Sequence, residues 1–120
     1  MIIVKGSFPV KEDEQPHALE LVQALASASR GERGCLAYEV YLQADAPRVI
    51  MVWQQWSNLD ALELHFGSEH VDAFLDAIPD MIDGDVTSAR FDVSSMDGDP
   101  IVEDVSEIAP VVLADNIILH

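Results

Sequence analysis

The chain has 120 residues, enough for one domain, and 49% of them are hydrophobic, which favours a packed core over disorder. It carries 22 acidic against 6 basic residues and a net charge of −16, so nucleic acids and anionic membranes are disfavoured as partners. No apolar stretch approaches the roughly 20 residues that span a bilayer. The single cysteine, Cys35, excludes an intramolecular disulfide and suits a reducing compartment, so we expect a cytoplasmic protein.

The first 43 residues predict a strand, a helix and a second strand. Residues 2–10 are apolar with several β-branched side chains, as is typical of a strand. Residues 11–34 predict a helix, because Pro16 lies near its first turn and Gly31 lies just past its end. In "CLAYEVYLQ", residues 35–43, side chains alternate between two faces, which predicts a strand.

A turn, "ADAP", and a nearly apolar strand come next. Residues 48–56, "RVIMVWQQW", are apolar on both faces until Gln54 and Gln55, so this strand should be covered on both sides. Residues 86–94 alternate again and predict the last strand.

Two short helices are predicted between these strands. The first should be capped by Ser57 and broken by Gly67. Its predicted apolar stripe consists of Leu59, Leu62 and Phe66. The second helix, residues 68–78, is ended by a proline.

The predicted order is β-α-β-β-α-β, the ferredoxin-like arrangement of an α+β fold, with an antiparallel sheet and helices on one face. The other face of the sheet should also be apolar, because the central strand has more large apolar side chains than the helices can cover. A second copy of the chain, packed sheet against sheet, is the simplest cover. We therefore expect a homodimer of this domain, which we place at residues 1–95.

After residue 95 the pattern changes. An acidic link that contains proline and glycine precedes the apolar stretch "IAPVVLADNIILH". Burying each of its large side chains would contribute roughly 1.5–3 kcal/mol. We expect residues 96–120 to be an acidic linker and an apolar extension that packs on the domain or on the dimer partner.

Two stretches of the sequence carry a recognisable pattern. "ERGCLAYEVY" has a Glu-x-Gly-Cys motif that enters a strand with a tyrosine, and "ALELHFGSEHVDAF" combines two histidines with a serine. Together with a strand that ends in tryptophan, this pattern resembles the antibiotic biosynthesis monooxygenase family, including its quinol-monooxygenase-like members. The matching residues are Glu32, Gly34, Cys35, Tyr38, Trp56, Ala61, Leu62, His65, Ser68, His70 and Phe74.

The resemblance implies a dimeric α+β barrel of two ferredoxin-like subunits, each with a cavity between sheet and helices. It implies an enzyme that oxidises a quinol, a phenol or a similar planar aromatic with dioxygen, and without flavin, metal or haem. The chain departs from the family at Gln54, where many members carry an acid, which weakens mechanisms that need a carboxylate there. Its first strand also lacks the asparagine of haem-degrading relatives, which argues against haem.

Two histidines are candidates for the chemistry. Helical spacing places His65 and His70 at the edges of the apolar stripes, where the helices meet the rim of the sheet. A neutral imidazole there could take the proton of a phenol, whose anion then passes an electron to dioxygen. Arg90, a tyrosine hydroxyl or an indole N–H could stabilise the anion. The candidate catalytic residues are therefore His65, His70 and Arg90.

Candidate substrate-binding residues are aromatic, since flat walls hold a planar ring. They are Trp56, Tyr38, Phe66 and Phe74. The alternative is structural: the histidines would bond the backbone or Ser68, the rings would be core packing, and Arg90 would be an ion-pair partner. A metal site is disfavoured, because His65 and His70 are five residues apart and no spacing selects a third ligand.

The sequence thus predicts a cofactor-independent monooxygenase that acts on a small planar aromatic or quinol with dioxygen, as a homodimer. An isomerase or lyase that uses the same histidines stays open. The alternative from another class is a non-catalytic dimeric module of the same fold, which binds a small ligand or a partner protein. A closed apolar cavity of aromatic size, with a histidine and a tyrosine or arginine converging inside, would favour the enzyme. A filled core with both histidines in solvent would favour the module.

Overall fold

The computed structural model describes residues 1–94 and the backbone of three short strands at residues 102–105, 111–113 and 117–119. The domain is α+β, as predicted. Its helices and strands are β1 (Ile2–Pro9), α1 (Gln15–Arg30), β2 (Cys35–Gln43), β3 (Ala46–Trp56), α2 (Leu59–Phe66), α3 (Glu69–Ala77) and β4 (Thr87–Val93). Within the described residues, no helix combines the length and the apolar character that crossing a bilayer needs.

The four strands of the domain form an antiparallel sheet in the order β2-β3-β1-β4. On β1, Val4 pairs with Gln54, and Gly6 pairs with Val52 on one side and Ser88 on the other. Directly paired residues point to the same face of a sheet, so these positions share the face that the helices cover. This strand order, with the helices on one face, is the predicted ferredoxin-like fold.

The core lies between the sheet and the helices. Burial alternates along β3, because successive side chains of a strand point to opposite faces. Its buried residues are Ile50, Val52, Gln54 and Trp56. Those of α1 recur at helical spacing and are Ala18, Val22, Leu25, Ala26 and Ser29.

The caps of the two short helices differ from the prediction in part. The N-cap of α2 is Asn58, whose Oδ1 accepts a hydrogen bond from the backbone N–H of Ala61 at 2.9 Å, so the prediction of Ser57 was wrong. Asparagine is as good a cap as serine, and its position starts the helix one residue later. Ser68 is the N-cap of α3, as predicted, but its hydroxyl donates to the backbone carbonyl of His65 at 2.6 Å.

The predicted apolar stripe of α2 was wrong at both ends. Leu59 is 45% exposed and Phe66 is 49% exposed. The buried residues of the helix are Ala61, Leu62 and His65. Leu62 lies on the face of α2 that points into the core. His65, three residues later, lies on the same face of this eight-residue helix. The histidine therefore lies in the core and not at its edge.

The outer face of the sheet carries large apolar side chains that are only partly covered. Ile3, Met51, Trp53 and Phe91 lie on this face, and each is partly exposed. The predicted second apolar face is therefore present on the domain. The partner that would cover it stays a prediction.

Part of the C-terminal extension forms strands. Val102–Val105 (β5) pairs antiparallel with β4 at the edge of the sheet. Val111–Leu113 (β6) and Ile117–Leu119 (β7) pair with each other in a separate two-stranded sheet. The side chains of this extension lie outside the described residues, so its predicted packing on the domain or on a partner stays a prediction.

Candidate active site

Three titratable side chains meet at one end of the helix layer. Glu32 lies in the turn between α1 and β2, His65 in the last turn of α2, and His70 near the start of α3. Nδ1 of His65 lies 2.6 Å from Oε2 of Glu32, and Nε2 of His70 lies 2.7 Å from the same oxygen. A single carboxylate oxygen therefore joins the two histidines.

Glycine at position 34 lets the turn that carries Glu32 approach α2. Gly34 has a φ of +87°, which side chains rarely adopt. A Cβ added there would lie 2.5 Å from the Cβ of Ala61 and 2.9 Å from Oγ of Ser57. The carbonyl of Gly34 also accepts a hydrogen bond from the backbone N–H of Ser57 at 2.8 Å. The Glu-x-Gly-Cys motif thus positions its carboxylate against the histidine-bearing helix.

The carboxylate decides which nitrogens of the histidines carry protons. An ionised carboxylate has no hydrogen to donate, so both imidazoles must donate to Glu32. His65 is then protonated on Nδ1, and a neutral ring leaves its Nε2 with a free lone pair. His70 likewise donates from Nε2. Glu32 therefore holds His65 in the tautomer whose second nitrogen is a base.

The surroundings keep His65 neutral. The residue is 2% exposed, and its ring lies 4.6 Å from the Trp56 ring and 5.6 Å from the Tyr38 ring, centroid to centroid. Burial lowers the pKa of His65, Glu32 opposes this effect, and His70 adds to it. The net pKa is below the ordinary value of about 6.5, so His65 is a neutral imidazole at pH 7.

A cavity of about 130 Å³ lies between the sheet and the helices beside His65. Its walls are mainly apolar side chains of β1, α3 and β3. The polar residues among them are His65, Gln54, Tyr38, Ser7, Thr87 and Ser88. Nε2 of His65 has no hydrogen-bond partner among the described residues. Every fully buried side-chain nitrogen or oxygen of those residues has a partner, so this nitrogen is not fully buried. This nitrogen therefore borders space that a small molecule can reach.

The structure brings most of the predicted binding residues to the cavity. Tyr38, Phe66 and Phe74 line it, and the exposed side of Phe66 places that ring at its rim. Trp56 is fully buried and lies behind the cavity wall, where it packs on the His65 ring and hydrogen-bonds Gln54. Burial raises the pKa of Tyr38, so its hydroxyl stays protonated.

The other two candidate catalytic residues do not line the cavity. His70 reaches His65 through Glu32, and its side chain is 27% exposed. Arg90 pairs with Val4 on the helix-covered face, and its side chain forms no hydrogen bond or ion pair with any described residue. Its proposed roles, catalytic or structural, stay predictions.

Sequence reasoning did not assign a role to Glu32, Gln54 or Gly6. Glu32 appeared only as part of the Glu-x-Gly-Cys motif, which was the signal that could have identified it. Gln54 was noted only as a departure from an acid. Gly6 lines the cavity from the middle of β1, where a glycine in a strand interior suggests a close approach or a gap.

The residues that could hold a metal ion are Glu32, His65 and His70, whose ligand atoms lie within 4.8 Å of one another. Two imidazoles and a carboxylate suit zinc and similar ions. The spacing argument against a metal therefore fails on one point, because the fold supplies the third ligand. The two hydrogen bonds to one oxygen satisfy the same three groups without an ion.

The sequence of the domain matches a known protein family. The model of the antibiotic biosynthesis monooxygenase family matches residues 1–77, well over half of the chain. The chain belongs to the antibiotic biosynthesis monooxygenase family. Glu32, His65 and His70 all lie within the part that matches this family.

Relatives of this monooxygenase-family chain include proteins without a known activity. An uncharacterised protein of Synechocystis sp., sll1783, is 30% identical over 81 residues, which are 68% of this chain and 55% of that protein. The chain thus spans about half of that relative's length.

Solved structures share the fold. Rv0793 of Mycobacterium tuberculosis aligns with a TM-score of 0.74 at 21% identity, over 81% of this chain and 98% of its own. A crystal structure of an antibiotic biosynthesis monooxygenase aligns with a TM-score of 0.74 at 24% identity, over 79% of this chain and 100% of its own. Identities at this level show the common fold.

Proposed function

We propose that this chain is a cofactor-independent monooxygenase that oxidises a small phenol or quinol with dioxygen. One observation carries the proposal: a neutral imidazole, held by Glu32 in the tautomer with a free Nε2, borders an apolar cavity of about 130 Å³. Apolar cavities of about 150 Å³ hold a benzene ring, so the space suits a single aromatic ring. Membership of a monooxygenase family supports the same reading.

The residues of the cavity can perform the first step of this chemistry. Nε2 of His65 accepts the phenol proton, the O–H bond breaks, and the imidazolium that forms is stabilised by the Glu32 carboxylate. The anion gives up an electron far more readily than the neutral phenol does, and the anion of an electron-rich or quinol-type ring can pass that electron to dioxygen. For a phenol with a free para position, the balanced reaction is phenol plus dioxygen to quinone plus water. One oxygen atom enters the ring, and the other leaves as water with two substrate hydrogens.

A non-catalytic ligand-binding module would use the same cavity without the reaction. The two possibilities separate in an oxygen electrode with chelator-treated protein, no added flavin, and a panel of one-ring phenols and hydroquinones. The proposal expects one dioxygen consumed per quinone formed, above the uncatalysed rate. Binding without oxygen uptake across the panel would favour the module, and uptake that needs added flavin or metal would contradict the cofactor-free chemistry.

The cavity depends on the missing side chain of Gly6. A Cβ built there meets only the carbonyl oxygen of Thr87, at 3.6 Å, so an alanine fits without a clash and occupies cavity space. We expect Gly6→Ala to raise stability by about 0.5–1 kcal/mol, because glycine is unfavourable in a strand interior. We expect the same change to weaken phenol binding at least about tenfold, because it fills the site.

Thermal melting and a binding titration measure both effects of Gly6→Ala. Gly31→Ala is the matched control, since Gly31 lies at the exposed end of α1 with a φ of −81°. The control should leave phenol affinity unchanged. Unchanged affinity in Gly6→Ala itself would show that the ligand binds elsewhere.

We also propose that two copies pair through the outer face of the sheet. The partly exposed side chains of Ile3, Met51, Trp53 and Phe91 support this, because apolar patches of this kind on small domains commonly mark interfaces. Light scattering at micromolar concentration should give the mass of a dimer. Trp53→Lys should shift that mass toward the monomer, and a wild-type monomer would contradict the pairing.

A further inference from the structure

We infer that Gln54 is the hydrogen-bond donor that holds the substrate oxygen after His65 has taken its proton, and that the substrate is a phenol with a single ring. The inference rests on the proposed function and adds the residue that stabilises the anion. It also gives a role to the amide that stands where many family members carry an acid.

The orientation of the Gln54 amide follows from its neighbour. Nε1–H of Trp56 donates to Oε1 of Gln54 at 2.9 Å. An indole N–H can only donate, so the amide oxygen must face Trp56 and the NH2 group must point away from it. The tryptophan thus fixes Gln54 as a donor on its free side.

That free side borders the cavity. Gln54 is 9% exposed and lines the cavity together with His65. Its NH2 group has no acceptor among the described residues. Every fully buried polar side-chain atom of those residues has a partner, so this group is not fully buried. The NH2 group therefore borders space that a ligand can reach. The cavity thus presents a base, Nε2 of His65, and a neutral donor of fixed orientation, the NH2 group of Gln54, beside the hydroxyl groups of its wall.

The other candidate donors fit this role less well. The indole N–H of Trp56 is already used by Gln54, and Arg90 does not line the cavity. Tyr38 also lines the cavity, so the test below separates its hydroxyl from the Gln54 amide with Tyr38→Phe.

The hydroxyls of Ser7 and Thr87 hydrogen-bond each other at 2.9 Å, and the Ser88 hydroxyl also lines the wall. Gln54 differs from these hydroxyls because a neighbour that can only donate fixes its orientation, so its NH2 group is held ready for an anion.

The chemistry of the pair selects the ligand. A phenol gives its proton to His65, so an O–H bond breaks and an N–H bond forms, and the phenolate oxygen accepts from Gln54. A donor aimed at a developing anion in a mainly apolar site stabilises it strongly. A carboxylate in place of the amide would repel the same oxygen. The size of the cavity, about 130 Å³, suits a ligand with one ring.

The test uses 4-nitrophenol, because its phenolate and phenol forms have different absorption spectra. The titratable groups around its oxygen are His65 and Tyr38, with Glu32 and His70 behind His65. At one pH near the solution pKa of the probe, wild-type protein should bind it mostly as phenolate. Gln54→Glu keeps an acceptor for Trp56 and should lower the bound phenolate-to-phenol ratio about tenfold or more. Gln23→Glu, on the exposed side of α1, should leave the ratio unchanged.

Each outcome decides a separate point. An unchanged ratio in Gln54→Glu, or loss of the phenolate in Tyr38→Phe, would overturn the role of Gln54. Failure of the wild-type protein to bind 4-nitrophenol would reject the one-ring phenol as the ligand. A phenolate preference that depends on Gln54, in a protein that oxidises no phenol, would keep the anion site and reject the monooxygenase.

Discussion

Replacing His65 with asparagine should lower kcat/KM for phenol oxidation by on the order of 10²–10⁴-fold, the usual contribution of a positioned general base. The side chain loses the nitrogen that borders the cavity. An asparagine amide can still donate to Glu32, so the carboxylate keeps a partner in place of Nδ1. The loss should therefore fall on the reaction more than on folding. Steady-state oxygen uptake and a melting curve of the same preparation measure the two effects.

The matched control for this replacement is His17→Asn. His17 lies on α1 with a side chain that is 59% exposed, outside the cavity lining, and its Nδ1 lies 3.9 Å from Oε2 of Glu14. The control should keep wild-type activity. If His65→Asn also keeps it while remaining folded, His65 is not the base.

Replacing Glu32 with glutamine should lower kcat/KM by about 10²-fold or more and should also move the pH profile. The carboxylate stabilises the imidazolium that forms when His65 takes the proton, and a neutral amide does so far less. Only neutral His65 is active, so kcat/KM should rise with pH and level off above the pKa of His65, which lies below about 6.5. Because Glu32 raises that pKa, its removal should shift the acidic limb to lower pH.

Glu63→Gln is the matched control, since it makes the same change at an exposed position of α2, two residues from His65. It should change neither the rate nor the pH profile. If Glu32 had only a structural role, Glu32→Gln would lower the rate and the melting temperature but would leave the midpoint of the acidic limb unchanged. That pattern would remove Glu32 from the mechanism.

Much of the fold was predictable because its signals are local. Alternation along residues 35–43 and the apolar character of residues 48–56 indicated two neighbouring strands. Gly31 and Gly67 marked the ends of helices. The order of strands and helices then left the ferredoxin-like sheet as the natural arrangement.

The site was less predictable because it depends on contacts between distant segments. His65 was found, but periodicity placed it at the edge of α2, and the two-turn helix instead turns it into the core. Glu32 lies 33 residues before His65, and only the turn at Gly34 brings them together. The donor side of Gln54 follows from Trp56, two residues away on the same face of β3. Such orientations are properties of the packed structure and not of any sequence period.

The central claim is that Glu32 holds His65 as a base with a free Nε2 facing the cavity. A ¹H–¹⁵N correlation spectrum of histidine-labelled protein at pH 7.5 tests it most directly, because the nitrogen shifts of each ring report which atom carries the proton. His65→Asn assigns the resonance. The account predicts the neutral Nδ1–H tautomer for His65, with Nε2 unprotonated until the pH falls below about 6.5. A neutral Nε2–H tautomer, or an imidazolium at pH 7.5, would contradict it.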